Sequence, residues 1–565
     1  MAKRIVIVGG VAAGASAATK ARRMNEDVEI VLVEAGPYVS FANCGLPYFV
    51  GGEIADRKQL FVVTAEMLRK RFRLDVRTET TVTAVDRQGG TVTLARPDGS
   101  SEPLAYDRLV LATGAVAVKP PIPGLDRPNV LTLRTVPDAD AIRQCIEALG
   151  SSGSALVIGG GYIGLEAAEQ LRRRGLAVTI VEMMPHLMAA LDPELAVRIE
   201  AAMVEAGCEV ILGDALAEIV EEGGRAVAVA ASGRRIPFEL AVLATGVRPN
   251  VALAKAAGLT LGATGAIQVD AFQRTSDPSI YAAGDNSETM HRVLGRAVDL
   301  PLAGPANKAG RVAGANAALD LSGAGDDSPL RLRMPGVLGT AIVRAGATAA
   351  AVTGLTETQA RREEIACEVT YAYAKSHAGY YPGAEFILLK ILHDPASGRL
   401  LGAQAVGADG VDKRIDVLAT AIQAGMTVED LEGLDLCYAP PFGSAKDLEI
   451  LAGFEAANIR RGVMPSMTPA ELLERMKADA SLFVLDVRTP AEWEAGHLDA
   501  AVHIPVDALR DRLDEVPADR PVAIHCGSGY RSYLAQRILL NAGRTDVRNV
   551  VGGKVVINLV QSAGA

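Results

Sequence analysis

The chain has 565 residues, 49% of them hydrophobic and 22% charged, with a net charge of −10 at pH 7. That length exceeds one ordinary core and implies roughly three or four domains. The acidic balance excludes a broad nucleic-acid-binding surface, leaving room only for local basic pockets. No apolar run reaches the roughly 18 residues of a membrane span, so neither nucleic acid nor membrane is an expected partner.

Arg4–Val8 is a short β-branched run that reads as a buried parallel strand. It enters GGVAAG (Gly9–Gly14) and an Ala-rich helix to about Arg23, and a second strand, Val28–Val33, ends in Glu34. This is a dinucleotide fingerprint, in which pyrophosphate rests on a helix N-terminus and the acid bonds a ribose hydroxyl. Its middle glycine is replaced by Val11. The strand–turn–helix reading also accounts for the signal-peptide look of the first residues, basic and then apolar.

SFANCGLPYFVGG (Ser40–Gly52) follows, with Cys44 in a polar, tight loop opening toward a helix or turn. A thiolate is the nucleophile in sulfur exchange, and a helix N-terminus there lowers its pKa. No second cysteine lies five residues away, which excludes an internal two-cysteine disulfide. The six cysteines (Cys44, Cys145, Cys208, Cys367, Cys437 and Cys526) form neither a CxxC pair nor a metal spacing. No metal is therefore expected, and a reducing, cytoplasmic compartment is.

Ala155–Ile158 leads into a second fingerprint, GGGYIG (Gly159–Gly164), then a helix through Arg174 and a strand Ala177–Val181 ending in Glu182. This copy keeps Gly159, Gly161 and Gly164. LVLATGA (Leu109–Ala115) and AVLATGV (Ala241–Val247) echo one another, and YAAGD (Tyr281–Asp285) places an Asp to bond a ribityl or phosphate hydroxyl. Two nucleotide sites in one reductase mean a flavin that holds electrons and a nicotinamide that delivers them. Glu182 accepts bonds from a free 2′-hydroxyl and repels a 2′-phosphate, favouring NADH, with NADPH still possible.

After Phe454, AANIRRGVMPSMTP (Ala456–Pro469) reads as a linker into a new α/β unit. FVLDVRTPAEWEAGHLDAAVHIP (Phe483–Pro505) precedes VAIHCGSGYRS (Val522–Ser532) and a helix Tyr533–Ala542. The strand ends on Cys526, and the N–H groups of the following loop converge on its sulfur.

The motifs GGVAAG, SFANCGLPY, GGGYIGLE, YAAGD and PLAGPANKAGR together resemble the single-cysteine branch of the pyridine nucleotide–disulfide oxidoreductases. The likeness runs from the N-terminus to about Phe454. It is strongest to the coenzyme A-disulfide reductases and their NADH oxidase, peroxidase and persulfide reductase relatives. The resemblance implies FAD near Gly9, Gly14, Glu34, Ala112, Asp285 and Ala303, and a nicotinamide cofactor at Gly159, Gly161, Gly164 and Glu182. It further implies a homodimer whose third domain completes the active site in trans. Tyr438 matches one catalytic tyrosine of that domain, and Tyr381 or Tyr380 the other; His377 is a weaker candidate relay. Ser40 and Asn43 flank the thiol as substrate contacts. By the same likeness Arg22, Arg23, Lys70 and Arg71 lie where coenzyme A phosphates bind, as Arg–phosphate forks allow; small polysulfides need no such patch.

The last segment resembles a rhodanese domain through Asp486, Arg488, Glu492, His497 and the CGSGYRS loop. His525-Cys526 is followed by four residues before Arg531, one fewer than a phosphatase cradle, a size that fits a persulfide on Cys526. GGKVVINLV (Gly552–Val560) stands where that family often has a tryptophan.

The expected fold is α/β: an FAD-binding domain (1–115 and 246–321), an NAD(P)-binding domain (116–245), an α+β dimerisation domain (322–455), a linker (456–468) and a rhodanese domain (469–565). The expected activity is NADH-driven reduction of coenzyme A persulfide, polysulfide or coenzyme A disulfide through Cys44, with Tyr438 as proton donor and Cys526 and Arg531 handling sulfane sulfur. The alternatives are an NADH oxidase or peroxidase cycling through a Cys44 sulfenic acid, and a sulfur carrier or redox sensor.

Overall fold

A computed structural model describes residues 3–564; Met1, Ala2 and Ala565, at the outer ends of the first and last expected domains, lie outside it. The chain divides into two compact units, residues 1–183 with 207–339, and 184–206 with 340–565.

The first unit contains two parallel five-stranded sheets of the same design. In one, the order is Ile280–Ala282, Arg108–Leu111, Arg4–Val8, Glu29–Val33, Asp75–Arg77. In the other it is Cys208–Ile211, Ala177–Val181, Ser154–Ile158, Leu240–Leu243, Val130–Thr132. Each central strand is covered on both faces, which is why Ile5, Val6 and Ile7 run without polar alternation and are fully buried. Removing each from water stabilises the fold by about 1.5–3 kcal/mol.

Both central strands end in a glycine that only a positive φ can accommodate, Gly9 at +99° and Gly159 at +106°. Five residues on, a Cβ on Gly14 would sit 1.7 Å from the Gly9 carbonyl oxygen, and one on Gly164 would sit 1.9 Å from that of Gly159. These contacts hold the helices Ala12–Met24 and Tyr162–Arg173 hard against their strands, with each N-terminus aimed at the space above the sheet.

In the second unit, an antiparallel sheet runs Ala341–Ala345, Thr348–Gly354, Leu400–Gly407, Phe386–His393, Glu368–Lys375. The helix Pro193–Glu205 packs on it. The sequence assigns that helix to the nicotinamide domain, but residues 184–206 belong to this unit. Lys390, 1% exposed, explains the capture: its ammonium binds Asp192 (2.8 Å), Glu194 (2.6 Å) and Glu357 (2.7 Å). A charge buried this deeply persists only when fully partnered. The α+β domain accordingly begins near Thr340 rather than at 322.

The last sheet is parallel, in the order Ser466–Met467, Val547–Val550, Val522–His525, Phe483–Asp486, Ala501–His503. The expected linker shrinks at both ends. The helix Leu448–Arg460 takes its first residues, and Ser466–Met467 already pairs with the final strand. Among the described residues no helix is long and apolar enough to cross a membrane.

Candidate active site

In the first unit, the thiol loop hangs from the first phosphate-binding turn. Ser40, held at φ +48°, donates its N–H to the Gly10 carbonyl (2.8 Å). A 3₁₀ turn, Asn43–Gly45, then presents Cys44, which is exposed. Asn43 leans away, its amide on the Arg134 carbonyl at 3.4 Å.

The helix after Cys44 spans only Leu46–Gly51, too short for a developed macrodipole. Contrary to the expected lowering, the Cys44 thiol is pushed up: protein mass walls one side of it, and the carboxylates of Glu166 and Asp285 oppose a thiolate. Glu166, from the helix Tyr162–Arg173, accepts the Tyr48 hydroxyl at 2.9 Å. Neither residue is singled out by sequence. The signal was available only in GGGYIGLE, where an acid follows the glycines onto the helix.

The acids at the strand ends take the places expected of them. Glu34 accepts N–H groups of Gly10 and Gly36, both at 2.7 Å, and Glu182 accepts that of Gly160 at 2.6 Å. Ala112 closes the first turn from the neighbouring strand, its carbonyl facing Gly9. Ala303 opens the helix Ala303–Leu321, which packs along Ala12–Met24. Asp285 is half-buried, accepts no hydrogen bond from a described residue, and has its pKa raised by that burial. A Cβ on Gly161 would meet nothing within 4 Å. An orphan carboxylate beside one phosphate turn and open space over the other suit a flavin dinucleotide and a nicotinamide dinucleotide.

The basic patch differs from expectation at Arg22. That side chain is 5% exposed, and its guanidinium is consumed by the carbonyls of Phe72, Asn25, Glu26, Val28 and Arg73. It is a buried structural tie, withdrawn from any phosphate. Lys20, Arg23 and Arg311 stand close enough that the two guanidiniums help lower the Lys20 pKa, after burial as the larger cause. Lys308 is exposed one turn from Arg311, and Lys70 and Arg71 are exposed at the end of Ala65–Phe72.

In the second unit, the hydroxyls of Tyr380 and Tyr438 meet at 3.2 Å on two exposed loops. Tyr381 takes no part in that pair and lies edge-on to the buried His377 ring, 5.7 Å between centroids. His377 in turn has Nδ1 at 3.3 Å from the Ala378 carbonyl.

Cys526 ends the strand Val522–His525 and is 1% exposed. Gly529 donates its N–H to Sγ at 3.1 Å, and the Ser532 hydroxyl lies at 3.4 Å. The helix begins at Tyr530, not Tyr533, which places Arg531 in its first turn. Arg531 grips both carboxylate oxygens of Glu492 at 2.6 and 2.7 Å, and this pairing holds the Glu492 carboxyl at about 2. Asp486 and Arg488 form a second, buried pair at 2.6 Å, and His497 stacks on Trp493. The GGKVVINLV segment supplies a helix Gly553–Ala563 whose first N–H groups, from Lys554 and Val555, bond the Cys526 and Gly527 carbonyls. The terminal packing thus holds without a tryptophan.

Comparison with known proteins agrees with this anatomy. Residues 3–299 match the pyridine nucleotide-disulphide oxidoreductase family, 343–448 its dimerisation domain, and 468–557 the rhodanese-like domain. The reduced CoADR-RHD of Bacillus anthracis is similar over the full length (TM-score 0.94, 41% identity, 100% of this chain and 99% of that one). An NAD-dependent persulfide reductase from A. fulgidus is also similar (TM-score 0.89, 40% identity, 98% and 99%). An NAD(P)H coenzyme A polysulfide/persulfide reductase of Pyrococcus horikoshii is 37% identical over 79% of this chain and 97% of its own. An NADH oxidase of Methanocaldococcus jannaschii is 35% identical over 80% and 98%. FAD and NAD(P)H are the cofactors of this family, and the residues above fit them. With its two glycine-rich fingerprints, its Cys44 loop and its Cys526 loop accounted for, the chain belongs to the pyridine nucleotide-disulphide oxidoreductase family and carries a rhodanese-like domain at its C-terminal end.

Proposed function

We propose that this enzyme reduces coenzyme A persulfide, and coenzyme A disulfide by the same route, at Cys44 with electrons from NADH, while Cys526 loads sulfane sulfur onto coenzyme A. One observation carries the reading: a solvent-reached, unpartnered thiol beside two dinucleotide folds shares its chain with a second thiol cradled by hydrogen-bond donors.

FAD, held by Gly9, Gly14, Glu34, Ala112, Asp285 and Ala303, supplies two-electron storage between nicotinamide and sulfur. The chain's own groups do the rest. Cys44 attacks the inner sulfur of the persulfide; its bond to the coenzyme A sulfur forms, the S–S bond of the persulfide breaks, and hydrosulfide leaves. Two electrons and one proton then split the mixed disulfide into the Cys44 thiolate and free coenzyme A. Tyr438, partnered by Tyr380, gives the proton to the departing thiolate. A homodimer brings this tyrosine pair to the partner's thiol, and the dimerisation domain supports that arrangement. At Cys526, sulfur transfer leaves the thiol and returns coenzyme A persulfide without net oxidation.

Lys20, Arg23, Lys308 and Arg311, with Lys70 and Arg71 as the second candidate group, hold the coenzyme A phosphates. Ser40 and Asn43 line the approach to the thiol. Gly159, Gly161, Gly164 and Glu182 take the nicotinamide cofactor, with NADH preferred because Glu182 carries the wrong sign for a 2′-phosphate. The six free thiols suit the cytoplasm.

The test is anaerobic NADH oxidation with coenzyme A persulfide, coenzyme A disulfide and hydrogen peroxide in parallel. Sulfide release matched to NADH, and a coenzyme A adduct on Cys44 by mass spectrometry, are expected. Fast peroxide turnover without sulfide release would instead establish the second reading, favoured by the NADH oxidase relative, in which Cys44 cycles as a sulfenic acid.

A further inference from the structure

The two tyrosines that meet at 3.2 Å sit on separate loops, 376–383 and 438–447, each exposed at its tip. Tyrosine side chains 77% and 49% exposed do not hold a fixed geometry by packing. Something beneath must fix both loops.

That position is filled by Arg414, from the helix Val411–Ala424, which is 1% exposed. One of its terminal nitrogens donates to the Ser376 carbonyl at 2.5 Å, at the root of the Tyr380 loop. The same nitrogen donates to Asp447 at 2.6 Å, at the root of the Tyr438 loop. The other donates to the Gly410 carbonyl at 3.1 Å on its own helix. Lys413 reinforces the second loop through Asp447 (3.0 Å) and the Phe442 carbonyl (3.3 Å), and the loops share one backbone bond, Ala378 N–H to Gly443 carbonyl at 3.0 Å. Asp447 also caps the next helix through the Leu448 N–H at 2.8 Å.

We propose that Arg414 is the positioning residue of the tyrosine pair, one terminal nitrogen bonding the roots of both loops while the other ties the guanidinium to its own helix. It touches neither substrate nor cofactor; it sets where the proton donor stands. The inference rests on the reading that Tyr380 and Tyr438 deliver the proton to the departing thiolate. A lysine cannot reproduce this, because an ammonium on a flexible stem has no second nitrogen to anchor its head to the Gly410 carbonyl while it bonds the two roots.

The test compares Arg414→Gln, Arg414→Lys and Lys413→Gln in the wild-type holoenzyme and in a Tyr380→Phe/Tyr438→Phe background. With coenzyme A persulfide and NADH, Arg414→Gln lowers kcat about tenfold or more, with Arg414→Lys in between, while the KM for NADH and the rate of flavin bleaching by NADH stay unchanged. In the tyrosine-free background, the same substitution changes kcat less than about twofold, since there is no donor left to position. An unchanged kcat for Arg414→Gln, or the same tenfold loss in both backgrounds, overturns the proposal and leaves the tyrosine reading intact. Wild-type turnover by the double phenylalanine variant removes both. Should Arg414→Gln fail to fold, the half-buried Lys413→Gln carries the test: a two- to fivefold loss confined to the tyrosine-bearing enzyme supports the clamp, and no loss or an equal loss in both backgrounds refutes it.

Discussion

Cys44 and Cys526 are the same chemical group in opposite settings. Cys44 is exposed and lies on a single turn of 3₁₀ helix, where surrounding protein first and the Glu166 and Asp285 carboxylates second push its thiol up. Cys526 is buried at a strand end and receives a backbone N–H at 3.1 Å, with a serine hydroxyl at 3.4 Å. The second arrangement holds a sulfur anion with preorganised donors, which suits storage of a persulfide. The first has only its own backbone N–H among the described residues. Its thiolate is left to be stabilised by what binds beside it, which suits a thiol that exchanges partners in every cycle. Reactivity is thus fixed by the protein at one sulfur and left to the ligands at the other.

Exchange of each cysteine gives the largest effects. Cys44→Ser is expected to lower NADH-dependent persulfide reduction by about a thousandfold or more while leaving sulfur transfer to cyanide unchanged. Cys526→Ser gives the mirror image when coenzyme A persulfide is supplied ready-made. Loss of both activities in either variant would break the division of labour. Next in size, Arg531→Ala removes the partner of Glu492 and leaves a carboxylate at the rim of the Cys526 loop. Sulfur transfer then falls about ten- to a hundredfold, with reductase turnover intact.

The basic residues near the first phosphate turn separate a binding role from a structural one. Arg23→Ala and Lys20→Ala raise the KM for coenzyme A persulfide about five- to tenfold, an effect that shrinks at high salt. Arg22→Ala instead orphans five carbonyls and destabilises the first unit by about 3 kcal/mol, visible as a lower melting temperature with no salt dependence. Equal KM effects at Arg22 and Arg23 would contradict the geometry.

That pair also shows what sequence could and could not disclose. The phosphate turns, the acids Glu34 and Glu182, and the Cys526 loop were legible because each is a local motif whose backbone demands a residue type at a fixed offset. Arg22 and Arg23 look alike in a string, yet on the helix Ala12–Met24 the buried positions are Ala13, Gly14, Ala15, Ala17, Ala18, Ala21 and Arg22. Helical phase alone places Arg22 in the apolar stripe, so this error was avoidable. The capture of Pro193–Glu205 by the second unit has no such local signal, because it depends on Lys390 meeting Asp192, Glu194 and Glu357 from three separate places in the chain. Likewise it is loop conformation that sets the Tyr380 hydroxyl, rather than that of Tyr381, against Tyr438, which neighbouring identical residues cannot reveal.

The smallest expected effect probes the Cys44 setting itself. Glu166 disfavours the thiolate, and its side chain also accepts the Tyr48 hydroxyl at 2.9 Å. Glu166→Gln keeps an oxygen for that hydroxyl and removes only the charge. The sign follows directly: a raised thiol pKa means less thiolate near neutrality, so neutralising Glu166 lowers the pKa and increases the reactive fraction. In flavin-free protein at pH 8, alkylation of Cys44 by iodoacetamide, followed on its own peptide by mass spectrometry, should quicken about two- to threefold. The Cys526 peptide in the same digest should label at an unchanged rate, since that sulfur is held by donors Glu166 does not touch. Slower or unaltered labelling of Cys44 would mean that burial alone sets its reactivity, and the carboxylates would then have to be assigned to the bound cofactors rather than to the thiol.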